Sequence, residues 1–210
     1  ANTSPGPRPD AAGRTVYVRT RICSGGNAPG RALSGAAKHT DLVADPRCPV
    51  VIGRGAETGA LRTALRAAAG GSGGVMFLTG EAGIGKSRLA AELAAEARAR
   101  GAVVLAGRAV PACGASPYRP LTEALLQALR SGANRVGEVL APWRAPLRAI
   151  VPSLDGAEDQ DGGKDPGDYS PAVRGEAVLR LLRRLAGPPG CLLLVLEDLH
   201  WADPDTLAVL

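Results

Sequence analysis

Gly80-Glu81-Ala82-Gly83-Ile84-Gly85-Lys86-Ser87 has the form G-x-x-x-x-G-K-[ST] and stands between an apolar run, Val75-Met76-Phe77-Leu78-Thr79, and a helical pattern that begins at its end. In a phosphate-binding loop each of these residue types has a physical task. Glycines let the backbone wrap closely enough for its N–H groups to face phosphate oxygens, Lys86 reaches the β- and γ-phosphates as a compact cation, and the Ser87 hydroxyl is a ligand for Mg²⁺. The helix that follows turns its positive dipole end on the same point. The chain strongly prefers Arg to Lys, which occurs only at Lys38, Lys86 and Lys164. A lysine placed against that preference, where the chemistry wants a point charge rather than a planar fork, strengthens the reading. Gly80 to Ser87, with Arg88 beside them, are the candidate nucleotide-binding residues, and Lys86 is also a candidate catalytic one.

Working outward, Val75–Thr79 reads as a buried strand feeding the loop. Leu89, Ala90, Leu93, Ala94 and Ala97 form the apolar stripe of the helix after it, with Gly101 as its stop and Ala102–Ala106 as a second strand. Strand, loop, helix, strand is the βαβ unit of a parallel sheet. Upstream, Leu61, Ala64, Leu65 and Ala68 recur at helical spacing until Gly70-Gly71-Ser72-Gly73-Gly74. Downstream, Pro120–Arg130 predicts a helix and Ala133–Val151 a mixed helical segment around Trp143. Asp155–Asp168 is an acidic, Gly-rich surface loop. Ser170-Pro171 caps a helix that buries Val178, Leu181, Leu182 and Leu185.

Cys191-Leu192-Leu193-Leu194-Val195-Leu196 is unbroken and apolar, as a strand covered on both faces requires, and it ends in Glu197-Asp198. An acidic pair at a strand end, in this order after a phosphate loop, is what a Mg²⁺-dependent nucleotide site needs. Glu197 is expected on the metal, and Asp198 on the attacking water as a catalytic residue.

The bulk composition narrows the function classes. Of the 210 residues 45% are apolar and 3% aromatic, enough for one α/β domain with a Leu/Val/Ile/Ala core. The net charge is +5, but residues 1–47 hold seven Lys/Arg against three Asp/Glu, leaving eighteen against seventeen elsewhere. That argues against a nucleic-acid-binding face on the folded part, where a clustered basic stripe would be expected. Residues 1–47 are rich in Pro, Gly, Ser and Arg and are expected to be disordered or peripheral, the strand-like Thr15-Val16-Tyr17-Val18 notwithstanding. Four scattered cysteines with no C-x-x-C pair suggest neither a zinc site nor a disulfide framework. No run is long enough for a membrane span, so no membrane partner and a cytoplasmic location are expected. Ala1 at one end and a helix starting near Leu210 at the other suggest a fragment.

The segments GEAGIGKSRLAAELA and LLLVLEDLHWADPDTL resemble the ATPase domain of the signal-transduction ATPases with numerous domains, within the AAA+-like superfamily. The likeness is greatest to large ATP-binding regulators of the LuxR type, and similar domains accompany class III adenylyl cyclases. It covers about Val50 to Leu210, so residues 48–210 would be the N-terminal part of the ATPase domain. The resemblance implies ATP and Mg²⁺ as cofactors and Val51-Ile52-Gly53-Arg54 as a loop near adenine. Gly55 stands where the family usually has an acid, although Glu57 is retained. His200-Trp201-Ala202-Asp203 would be either a γ-phosphate-responsive turn or, as the cap preferences favour, a packed Trp201 and an Asp203 that caps the helix begun by Pro204.

The fold implied is a P-loop NTPase three-layer α/β sandwich with a parallel sheet ordered 5-1-4-3-2, truncated here before strand 4. An open gap, or direct pairing of the strands on its two sides, is then expected. DNA would be reached only through a C-terminal domain absent from this chain, and ATP-dependent self-association would belong to a longer protein. The function implied is an ATP-binding, ATP-hydrolysing regulatory switch. A nucleotide module beside a cyclase, a P-loop kinase or GTPase, and an inactive remnant are the alternatives. The GTPase reading lacks an N-K-x-D motif, and Asp159-Gln160-Asp161-Gly162 lies in the acidic loop rather than after a strand.

Overall fold

A computed structural model describes residues 16–20, 53–111, 117–130, 143–154, 168–187 and 190–210. The strands are β1 (Val16–Thr20), β2 (Gly74–Leu78), β3 (Val103–Arg108) and β4 (Leu192–Glu197). The helices are α1 (Gly55–Ala69), α2 (Lys86–Ala99), α3 (Arg119–Arg130), α4 (Arg144–Arg148), α5 (Pro171–Ala186) and α6 (Pro204–Val209). Val51 and Ile52 of the expected adenine loop, and nearly all of the acidic loop, lie outside the described residues.

The apolar run before the acids is buried along its whole length. On one side of the sheet Leu193 and Val195 pack with Leu61 and Leu65 of α1 and with Leu89, Leu93 and the small residues of α2. On the other, Leu192, Leu194 and Leu196 join a larger core built from α3, α4 and α5, including Leu125, Leu147, Leu181 and Leu182. Helices therefore cover both faces of β4, in an α/β arrangement, and β3 pairs with β4 in parallel. Gly107 lets α3 approach the end of β3, since a Cβ there would lie 1.9 Å from the Pro120 carbonyl oxygen.

The sheet order is β2-β1-β4-β3. The implied order leaves one strand position between the strand before the phosphate loop and the acidic strand, and that position is neither open nor closed up. Val16–Thr20, from the segment expected to be disordered or peripheral, fills it as a strand antiparallel to both neighbours. The physical reason is backbone satisfaction: two strands one position apart each present a row of N–H and C=O groups that an extended segment can pair. The expectation of a buried strand at Val75–Thr79 also needs correction. β2 lies at the edge of the sheet, and the face opposite α1 and α2 leaves Val75 and Phe77 45% and 61% exposed.

The segment after β4 is fastened by Asp203. Its carboxylate caps α6, accepting the Thr206 N–H at 2.8 Å and the Thr206 hydroxyl at 2.6 Å, and it also accepts the Tyr118 N–H at 3.1 Å. Tyr118 is buried at φ 64°, and its hydroxyl accepts a 2.7 Å hydrogen bond from Arg174. Burial alone would raise the Asp203 carboxyl, but the hydrogen bonds from Thr206 and Tyr118 outweigh it and hold the group below its ordinary value. The capping role expected for Asp203 is what the structure has. Trp201 does not pack as expected: it is 50% exposed, with its ring tilted against His200.

Two stability predictions follow from this architecture. Removing residues 1–47 should expose the ladders of β2 and β4 and lower the thermal midpoint by about 5 °C or more, as expected when roughly 2 kcal/mol or more is lost from a domain of this size. Val18→Pro, in the middle of the central strand, should act in the same direction; equal melts for the full and shortened chains would contradict the seating of β1. Asp203→Ala should cost about 1–3 kcal/mol, from the lost cap and the stranded Tyr118 N–H. Because the Asp203 carboxyl is depressed in the folded state, its contribution is full above the ordinary carboxylate range and fades as pH falls through the folded value. Denaturant titrations should show the wild-type advantage shrinking below about pH 4.

Candidate functional site

Strand register brings the two halves of the site to one end of the sheet. Phe77 and Leu196 both pair with Tyr17, and Leu196 also pairs with Gly107 on its other side. The phosphate loop after β2, the acids after β4 and the end of β3 therefore leave the sheet at the same edge. This is the carboxyl end of the parallel strands, where ligands of open α/β sheets bind. With β1 between them, β2 and β4 are two strand spacings apart, about 9–10 Å.

Gly80, Gly83 and Gly85 have φ values of 147°, 81° and 95°, a conformation closed to ordinary L-residues. α2 starts directly at Lys86, and its N-cap, Gly85, has no side chain to cap the first turn. Lys86 is buried, and its ammonium donates to the Gly80 and Glu81 carbonyl oxygens at 2.7 and 2.6 Å. Those bonds hold a cation inside the loop's curve, a charge suited to phosphate. Glu81, Ala82, Gly83, Ile84 and Ser87 are exposed along the loop, which leaves the Ser87 hydroxyl accessible. Arg88 is partly buried and its Nε lies 3.5 Å from Glu92, along the helix. Gly53 (φ 78°) and Arg54 precede α1, with Arg54 4.0 Å from Glu57.

Glu197 and Asp198 are both buried. Asp198 has φ 56°, the left-handed conformation that Asp tolerates better than most residues, and this turns the chain sharply out of β4. The turn is continued by a short 3₁₀ segment at Leu199–Trp201. Sequence reasoning passed over Arg108. Its Nε lies 2.9 Å from an Asp198 carboxylate oxygen and 3.8 Å from a Glu197 oxygen. The backbone fixes this meeting, because Arg108 pairs with Glu197 in the parallel ladder and the Ala109 N–H donates to the Glu197 carbonyl at 3.0 Å. The Arg108 N–H donates to the Glu123 carboxylate of α3. The signal was present in the sequence: in a parallel sheet, the residue ending the adjacent strand falls beside the acids.

A divalent cation fits this donor set. The other Glu197 carboxylate oxygen, Oε1, is buried and has no hydrogen-bond partner among the described residues. The Arg108 guanidinium lies at hydrogen-bonding distance from Asp198 but only approaches Glu197. Among the described residues no group of three or more His, Cys, Asp and Glu forms a cation site. A hard cation such as Mg²⁺, which keeps waters and shares phosphate oxygens, needs no such cage.

No described helix is long and apolar enough to cross a membrane. No solved structure matches the chain. The uncharacterized protein R02095 of Rhizobium meliloti (strain 1021) is 31% identical over 144 residues, covering 64% of this chain and 14% of that protein. The chain thus corresponds to about a seventh of that relative's length. A profile of the AAA ATPase domain matches residues 50–210, from just before the Gly53-Arg54 turn through both halves of the site to the last residue. Nucleotide binding is the property this match carries, and the chain belongs to the AAA ATPase domain family.

Proposed function

We propose that the chain is the ATP- and Mg²⁺-binding part of a hydrolytic switch in a multidomain regulator. The observation that carries the reading is the shared strand register that sets the Lys86 loop and the Glu197-Asp198 pair at one sheet edge. The triphosphate would lie along the loop, with the N–H groups of α2 and the Lys86 ammonium facing its oxygens. Lys86 would exchange the Gly80 and Glu81 carbonyls for phosphate, at little cost in reorganisation because the loop is already wound around it. Ser87 and Glu197 would hold Mg²⁺, which supplies charge neutralisation at the β- and γ-phosphates. Asp198, itself buried between the buried Leu196–Glu197 strand end and Leu199, would accept the proton of the attacking water.

The regulatory part of the reading is supported by proportion: the relative is several times longer than the matched stretch, which leaves room for sensing and output domains. ATP-dependent self-association, and DNA contact through another domain, would fit such a switch. The same proportion would suit a module beside a cyclase equally well, and assay of the longer polypeptide for DNA binding or cyclic nucleotide synthesis separates the two.

Calorimetry on the full chain tests the nucleotide reading. Lys86→Ala removes a charge-assisted contact of about 1.5–3 kcal/mol and should weaken Mg·ATP binding about ten- to a hundredfold. Unchanged affinity would contradict it. Single-turnover hydrolysis separates the acids: Asp198→Asn should keep binding and lose most turnover, whereas Glu197→Gln should raise the Mg²⁺ requirement. Loss of turnover in Glu197→Gln with ordinary metal dependence, alongside active Asp198→Asn, would exchange the two roles.

A further inference from the structure

The Arg108 guanidinium lies within ion-pairing distance of both acids. Its contacts are uneven. The guanidinium takes one oxygen of Asp198 at hydrogen-bonding distance and only approaches Glu197, whose Oε1 stays buried without a partner. The Arg108 side chain is half-exposed while both acids are about nine-tenths buried, so the cation can leave towards solvent and the carboxylates cannot follow. Removing Arg108 would withdraw a positive charge from two like charges in a poorly solvated corner, a loss that another cation or protonation can offset.

We propose that Arg108 is a positioning residue that occupies the acid pair in place of a divalent cation, so that metal entry depends on nucleotide. This rests on the proposed Mg·ATP site. Arg108 and a divalent cation would draw on the negative charge of the same two carboxylates, so each weakens the hold of the other. Phosphate oxygens reverse the balance: they add negative charge at the same sheet edge and offer the displaced guanidinium an alternative partner with the fork geometry it prefers. The consequence is a site that resists metal alone and accepts metal with nucleotide. The fixed parts hold the acids in register throughout, through the Ala109 to Glu197 hydrogen bond and the Gly107 contact with α3. Only the guanidinium moves.

Electron paramagnetic resonance titration of the full chain with Mn²⁺, first without nucleotide, tests this directly. Arg108→Gln and Arg108→Met, which keeps the aliphatic stem, should each lower the Mn²⁺ concentration for half-saturation about three- to tenfold. Arg108→Lys should stay within about twofold of wild type. Adding Glu197→Gln to either charge-removing variant should abolish the gain, and ATP should narrow the difference between wild type and Arg108→Gln. Unchanged or weaker Mn²⁺ binding in both charge-removing variants overturns the proposal, as does a gain that survives Glu197→Gln. The nucleotide-free arm is independent of ATP binding, so failure here is distinct from failure of the ATP reading, which the Lys86→Ala affinity decides.

Discussion

Burial of β4 on both faces is the constraint on which the site depends. Each of Leu192, Leu193, Leu194, Val195 and Leu196 is almost fully withdrawn from water, and each contributes roughly 1.5–3 kcal/mol by area, an upper estimate given compact unfolded chains. A strand that is apolar on both faces has no alternation to fix its register, because a slip of one residue still buries leucine against leucine. The polar groups at its end set the register instead. Glu197 pairs with Arg108 in the ladder and its carbonyl accepts the Ala109 N–H. A slip of one position would move the acids about 3.3 Å and break these contacts together. The same residues that give the site its charge therefore also locate the strand that carries it.

The candidate site is held in place by its backbone and by hydrogen bonds on every side. Glycines wind the phosphate loop around a buried ammonium that rests on carbonyl oxygens. The acids are held by the sheet, and the segment beyond them is fastened by Asp203 to α6 and to Tyr118. Within this frame the Lys86 ammonium rests on carbonyl oxygens and the Arg108 guanidinium on a carboxylate, and both are cations of the kind that phosphate attracts.

Much of this was legible in the sequence because local rules and tertiary demands agree there. Leu89, Ala90, Leu93, Ala94 and Ala97 repeat at helical spacing and are the buried stripe of α2; the run before Glu197 is apolar without interruption and is buried on both faces. Asp203 followed by Pro204 signalled a capped helix, and one is there. What escaped was decided by partners distant in sequence. Val16–Thr20 is too short and too mixed in polarity to announce a central strand, and its place comes from the unsatisfied ladders of β2 and β4. Val75 and Phe77 look like core residues, yet they lie on an exposed face of β2. Trp201 was expected to pack, in the reading that made Asp203 a cap, but in the turn after Asp198 it lies half-exposed. Arg108 was passed over because its strand was expected to stop at Ala106, whereas it runs on to Arg108 beside Glu197.

The central claim is that the phosphate loop and the acid pair act on one ligand. A double-mutant cycle on ATP affinity tests it most directly, using Lys86→Ala, Glu197→Gln and the combined variant, each measured with Mg²⁺ and with the metal chelated. If Mg²⁺ bridges the two halves through the phosphates, the account predicts a coupling of about 0.5–3 kcal/mol in the presence of the metal that disappears on chelation. Strictly additive effects under both conditions would mean that loop and acids do not meet at a common ligand, and would contradict the account.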